Sequence, residues 1–307
     1  MLPNFLLIGT AKAGTTSLYH YLRQHPDVYM PAVKEPRFFA YADAPPAMVG
    51  PGDREANEDS GAVYTLDAYR ALFDGVTDEP AVGEASVNYL YSETAPRRIH
   101  QHVPNAHLIA ILRNPIERAY SHYLHLLRAG REPLRDFEAA LAAEPERRRK
   151  GWEWSWHYTN MGFYHAQLVR YLEYFDRDQL SVYLFEDFTE DNRAVVQDIY
   201  RGLGVDPTFA PRGTLAHAKT GVPISDRFQR FIRNSDHPVR RAARWVLPES
   251  LRTTGMKLLQ NMNLSKPPMA PAVRERLRNR FEDDIRQLES LLDRDLSQWR
   301  APAASRA

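Results

Sequence analysis

Four short apolar runs punctuate the first two-thirds of the chain, over residues 5–8, 81–87, 108–112 and 180–185. Turn or capping residues follow each run, and then apolar positions recur at helical spacing. Strand-then-helix alternation predicts an α/β fold, with a central and mostly parallel sheet flanked by helices in a P-loop-like three-layer arrangement. Helical periodicity covers residues 15–23, 66–73, 116–128, 163–175, 193–203 and 272–292. The last stretch carries Leu277, Phe281, Ile285, Leu288 and Leu292 as one amphipathic stripe. Residues 42–61, rich in Pro, Gly and acids, read as a long irregular loop. The second irregular region begins with Arg147-Arg148-Arg149-Lys150, read as a solvated helix end, and continues as Trp-Glu-Trp-Ser-Trp. Trp152, Trp154 and Trp156 alternate as a partly buried strand or a sugar-ring platform would, with core packing expected of at least one. With no internal repeat and no linker, residues 1–307 form a single domain, and 42–61 and 145–160 are insertions suited to an acceptor wall.

Composition narrows the function. With 307 residues the chain can bury a full core. Lys plus Arg number 40 against 39 Asp plus Glu, so no global field draws in nucleic acid or an anionic membrane. Any anion must be held by locally arranged charge. The absence of cysteine excludes disulfides, thiolate metal sites and cysteine nucleophiles, and fits a reducing compartment. Residues 5–8 are too short for a signal-peptide core, and no later apolar run is long enough to span a membrane. The expectation is a soluble, cytoplasmic protein.

The first strand breaks into Gly9-x4-Gly14-Thr15-Thr16, the glycine spacing of the mononucleotide loop G-x4-G-K-S/T. Such glycines let backbone N–H groups converge on an anion, and the following helix adds the positive end of its dipole. In the triphosphate version a lysine follows the second glycine, and the next hydroxyl holds magnesium. Here Thr15 takes the lysine position and Lys12 sits inside the loop, where it would reach a shorter anion. The third strand ends in Arg113-Asn114-Pro115, with Asn114 a helix cap, Pro115 in the first turn and Glu117 completing a capping-box-like start. On the helix that follows, Ile116, Tyr120, Leu124 and Leu127 share one face, and Arg118, Ser121 and His125 the other. That polar row is expected to look out over the carboxyl ends of the strands, where open α/β sheets bind ligands.

Together these segments resemble the sulfotransferases that use 3′-phosphoadenosine-5′-phosphosulfate (PAPS). The likeness is to the branch of heparan sulfate N- and O-sulfotransferase domains and their bacterial relatives, and it runs from Phe5 to about Trp299. Lys12-Ala13-Gly14-Thr15-Thr16-Ser17 resembles the family's 5′-phosphosulfate loop. Arg113 and Ser121, in R-x-P-x-x-R-x-x-S, match the positions that hold the donor's 3′-phosphate. Lys34-Glu35-Pro36-Arg37-Phe38-Phe39 is similar to the family's segment near the acceptor, and Gly83-Glu84-Ala85-Ser86 to the strand whose glutamate is implied as catalytic base. Gly162-Phe163-Tyr164 and Leu180–Phe188 resemble a family helix and strand. The nearest counterpart of the family's late Lys-Gly-Arg loop is His217–Pro223, which implies Lys219 and Gly221 at the 3′-phosphate.

The resemblance implies in-line transfer of a sulfonate from PAPS to a hydroxyl or amine of a glycan or other small molecule, leaving 3′-phosphoadenosine-5′-phosphate (PAP), with no metal. Glu84 would take the acceptor proton, Lys12 would neutralise the leaving phosphate, and Lys34 and His125 would steady sulfonate or acceptor, with His122 as an alternative base. A rival enzymatic reading is a nucleotide or small-molecule kinase, with Glu186-Asp187 imitating a metal-binding pair. A glycan-binding module using the tryptophans would leave Lys12, Arg113 and Glu84 without a role.

Overall fold

The computed structural model describes residues 1–42, 47–212, 222–223, 264–265 and 267–301. Its centre is a five-stranded parallel sheet of β1 (Phe5–Gly9), β2 (Val28–Tyr29), β3 (Ala81–Ala85), β4 (His107–Leu112) and β5 (Leu180–Leu184), in the order β2-β3-β1-β4-β5. The register sets Phe5 beside Gly83 and His107, and Leu108 beside Leu180. Every residue of β1 and β3 is buried, which is why these strands appear in the sequence as continuous apolar runs. Gly83 has a specific reason to be glycine, because a Cβ there would stand 2.2 Å from the Phe5 ring.

Side chains alternate across the sheet. Phe5, Leu7, Ile109 and Ile111 pack under the helices Thr15–Leu22 and Asn192–Gly202. Leu6, Ile8, Leu108 and Leu112 face the opposite layer, with the helices Ala95–His102, Pro115–Arg128, Tyr164–Leu172 and Pro271–Leu292. The 22-residue helix buries Val273, Leu277, Phe281, Ile285 and Leu288 along the expected stripe. Among the described residues no helix is long and apolar enough to cross a membrane.

From β1 the chain builds β2 and β3 on one side, then crosses to β4 and β5 on the other. Connections therefore diverge at the carboxyl end of β1, leaving a crevice flanked by β3 and β4.

Three expectations change. The 42–61 stretch is not wholly irregular, since Asp53–Ser60 is a helix. Its buried Asp53 accepts a 2.7 Å bond from Trp156 Nε1 and pairs with Arg131. The basic run ends the helix Phe137–Arg149, but Arg147 is buried, bonded by both terminal nitrogens to Glu132 at 2.6 and 2.7 Å. The tryptophans form no strand; Trp154–Trp156 is a single 3₁₀ turn, and Trp156 alone of the three is fully buried.

Candidate active site

The loop after β1 is built to expose backbone donors. Lys12 and Gly14 both adopt left-handed backbone, with φ of 73° and 87°. At Gly14 that conformation and the Phe188 ring, 3.1 Å from where a Cβ would stand, both favour glycine. Gly14 caps the Thr15–Leu22 helix without a side chain, and the first turn holds no acid, so the turn's amides keep their positive character. Ala13, Thr15 and Ser17 are buried, and Thr16 is exposed.

Cations gather here. Burial pushes the Lys12 ammonium down to about 8, helped by Arg128, Arg113 and Lys34. Arg113, at the tip of β4, donates from Nη1 to the Lys12 carbonyl at 2.9 Å and lies 4.6 Å from the centre of the Phe185 ring. Its own carbonyl accepts from Tyr164 Oη at 2.9 Å. Asn114 caps the next helix as expected, with Oδ1 accepting from Ile116 and Glu117 amides at 3.0 and 3.4 Å. Glu117 does not close a capping box; it pairs with Arg274.

The polar row of the Pro115–Arg128 helix is divided. Arg118 is completely buried, donating to the Tyr158 carbonyl and lying 3.3 Å from His122 Nδ1, so it braces the fold and does not face the crevice. Ser121 is also enclosed. His125 turns toward the cations: burial, then Lys12, Arg128 and Arg131, push it down to about 3, so the ring is neutral. Its buried Nδ1 finds no hydrogen-bond partner. His122 is held far below its ordinary value by burial and by Arg118.

Two carboxylates lie at the end of β3. Glu84 has no exposed surface; Oε1 accepts from Tyr69 Oη at 3.2 Å and Oε2 from Ser86 Oγ at 2.9 Å, and burial pushes it up to about 7. A value near 7 lies in the range of a general base, and the carboxylate is fully enclosed in this structure. Glu35 is the less enclosed one, partly exposed. Its Oε1 is 2.6 Å from Lys34 Nζ and its Oε2 accepts from the Val87 amide at 3.0 Å. Its position was legible in the Lys-Glu-Pro-Arg-Phe-Phe segment, although nothing in the pattern ranked it above Glu84.

Beside this segment opens a cleft of about 740 Å³, lined by Tyr41, Asn88, Tyr91, Arg148, Trp152, Trp154 and His157, among others. Arg37 joins cleft and carboxylates: its guanidinium lies 5.4 Å from the Trp154 ring centre, with Nη1 3.6 Å from Glu153 and Nε 3.9 Å from Glu35. Arg37 and the Phe185 ring beneath Arg113 had no sequence signal of their own. Lys219 and Gly221 lie outside the described residues.

A parallel sheet carrying a phosphate-type loop, with cations on two strand tips, defines a group-transfer scaffold for an anionic donor. Residues 2–220 match the sulfotransferase domain family, and the chain belongs to it. It is similar to a sulfotransferase from Alicyclobacillus acidocaldarius, whose crystal structure superposes with a TM-score of 0.77 at 38% identity, covering 98% of this chain and 100% of that one. It is also 31% identical over 216 residues to the human bifunctional heparan sulfate N-deacetylase/N-sulfotransferase 3, covering 68% of this chain and 23% of the relative. With mouse heparan sulfate glucosamine 3-O-sulfotransferase 6 the identity is 29% over 233 residues, covering 74% and 59%. The chain thus spans about a quarter of the first relative's length and under two-thirds of the second's.

Proposed function

We propose that this protein transfers the sulfonate of PAPS to a hydroxyl or amine of a carbohydrate or other small-molecule acceptor. The observation that carries this reading is the loop after β1, where Lys12 and Gly14 take left-handed backbone ahead of a helix with no acid in its first turn and Arg113 bonds the Lys12 carbonyl at 2.9 Å. Burial, then Arg128, Arg113 and Lys34, hold the Lys12 ammonium down. The loop residues Lys12, Ala13, Gly14, Thr15, Thr16 and Ser17 would hold the 5′-phosphosulfate. Arg113, Ser121, Lys219 and Gly221 would hold the 3′-phosphate. Phe185, already stacked under Arg113, offers an adjacent aromatic face.

In the transfer, an acceptor oxygen or nitrogen forms a bond to sulfur as the bond from sulfur to the bridging oxygen breaks, and PAP leaves with the electron pair. Lys12 offsets the charge growing on that oxygen. Glu35, in place of Glu84, takes the acceptor proton, because it keeps exposed surface and lies beside Lys34. Lys34 and the neutral His125 orient the sulfonate or the acceptor. The cleft with Trp152 and Trp154 forms the acceptor wall, consistent with the carbohydrate acceptors in the relatives' names. A cysteine-free chain suits a cytoplasmic setting.

Against the kinase reading stands the match of residues 2–220 to the sulfotransferase domain family, and Asp187 of the supposed metal pair is bound to Arg294 at 2.6 Å. Calorimetry with PAP, adenosine 5′-phosphate and ATP, each in chelator, tests the donor. Tight binding of PAP alone is expected; equal affinity for PAP and adenosine 5′-phosphate would remove the 3′-phosphate site. Mass spectrometry of an acceptor panel after incubation with PAPS tests the transfer.

A further inference from the structure

The segment carrying Glu35 is held in a costly conformation. Both Glu35 and Arg37 have left-handed backbone, with φ of 69° and 57°. Neither residue type favours that region, and each such position persists only where its surroundings enforce it. The enforcement comes from below, through the buried side chains of Ser86, Glu84, Tyr69, Phe38 and Tyr89. The Arg37 amide donates to Ser86 Oγ at 2.9 Å, and Ser86 Oγ in turn donates to Glu84 Oε2 at 2.9 Å. The other Glu84 oxygen is fixed by Tyr69, whose ring stacks on Phe38 with centroids 4.7 Å apart. Tyr89 Oη accepts from the Phe39 amide at 3.3 Å. On the other side, the Glu35 amide donates to the Ala85 carbonyl at 3.0 Å. Every link on this path is buried or nearly so, and it begins at Glu84 and ends in the backbone beside Glu35.

We propose that Glu84 is a positioning residue, whose carboxylate holds Ser86 so that the strained Glu35–Arg37 turn presents Glu35 to the acceptor. This assignment rests on the sulfonate-transfer reading for its consequence and on the hydrogen-bond path for its existence. A hydroxyl can donate once, so a carboxylate accepting from Ser86 leaves the Ser86 lone pairs for the Arg37 amide. That directionality fits the observed chain, with the amide donating to the hydroxyl and the hydroxyl to the acid. An acid accepting from the Tyr69 and Ser86 hydroxyls, with the Tyr89 hydroxyl also on it, is satisfied where it stands. It needs no acceptor molecule to complete its bonding.

Positioning and base catalysis give opposite rankings of two variants. Glu84→Gln keeps both hydrogen bonds, since its amide oxygen can accept from Ser86 and its nitrogen can donate to Tyr69. Ser86→Ala cuts the path while leaving the carboxylate in place. The measurements are hydrogen exchange of the Arg37 amide, PAP affinity by calorimetry, and single-turnover transfer from PAPS to a free-amine glucosamine tetrasaccharide. For Ser86→Ala, Arg37 exchange should quicken roughly tenfold, the equivalent of one lost hydrogen bond. Its kcat should fall by about the same factor, with PAP affinity unchanged and Ser86→Thr restoring both. Glu84→Gln should stay within roughly tenfold of the parent, against a loss of ~10²–10⁴ for Glu35→Gln. The proposal is overturned if Ser86→Ala leaves Arg37 exchange unchanged, or if Glu84→Gln loses ~10²–10⁴ while Ser86→Ala does not. A parent that binds PAP but sulfonates nothing would count against the acceptor reading alone, because exchange at Arg37 decides the path without turnover.

Discussion

At the scale of single residues, Lys12 has the clearest consequence. Its ammonium is pushed down to about 8 by burial and three cationic neighbours, and a bound anion would pull it back up. Proton uptake must then accompany binding above that value. PAP affinity should be flat below about pH 8 and fall as pH rises through it, by up to about tenfold per pH unit. Lys12→Arg, which keeps its charge, should remove that fall, and calorimetry in buffers of different ionisation heat reads the proton directly. A parent whose affinity is level from pH 7 to 9.5 would show that Lys12 does not touch the anion. Arg113→Ala should weaken PAP binding by ~1.5–3 kcal/mol, the usual value of a hydrogen bond to a charged group, and should also loosen the loop it holds through the Lys12 carbonyl. The type and position of these two residues were legible in the sequence because spacing from a strand end fixes where such side chains emerge. The choice between Glu84 and Glu35 was not. Two acids 49 positions apart meet at one strand end only after β3 pairs with β1 and the Glu35 amide bonds to Ala85, and burial is a property of that assembly.

At the scale of elements, what was legible followed from burial pattern. Strands covered on both faces read as apolar runs, and long amphipathic helices read as stripes. The predicted strand over 81–87 ends two residues early, because the chain turns at Ser86 to serve the Glu84 path. The two-residue β2 is too short to show any period. The Asp53–Ser60 helix was invisible for a different reason: its sequence, Asp-Arg-Glu-Ala-Asn-Glu-Asp-Ser, has no apolar face at all. Buried Asn57 anchors it through the Tyr64 hydroxyl, and Asp53 anchors its start. Asp53 accepts from Gly50 N at 2.7 Å and from Trp156 Nε1, and pairs with Arg131, which also bonds Ser155 Oγ at 3.1 Å. Asp53→Ala leaves Arg131 and the indole N–H partly buried without that partner, a class of change that costs about 3–5 kcal/mol. The expected result is a lower melting temperature and faster proteolysis within 47–60, with PAP affinity kept, since the donor loop lies on another strand. Loss of PAP binding in a folded Asp53→Ala protein would mean that the insertion and the donor site are coupled.

At the scale of the whole molecule, the sheet order explains why the loop after β1, Arg113 and the Glu35 segment meet. β1 is central, and its neighbours carry different tasks: β4 ends in Arg113 beside the loop, and β3 ends in the Glu84–Ser86 path beneath Glu35. One consequence reaches global stability. Burial raises Glu84 from an ordinary 4.5 to about 7, so the folded protein keeps a proton between those values that the unfolded chain has released. Stability from this group is therefore full below about pH 4.5 and is lost as pH rises to about 7. The ceiling is on the order of 3 kcal/mol, from 1.36 kcal/mol per pH unit of displacement. Glu84→Gln has no proton to lose and should flatten that part of the profile. Denaturant unfolding of parent and variant at pH 5 and pH 7.5 measures the difference. The variant should gain on the parent at pH 7.5 and match it more nearly at pH 5. Gain at the higher pH would show that the buried charge is kept at a cost in stability, as expected of a group retained for the geometry it imposes on Glu35. If the two proteins instead keep the same difference at both pH values, Glu84 does not titrate in this window, and its carboxylate is held by stronger interactions than the Tyr69 and Ser86 hydroxyls.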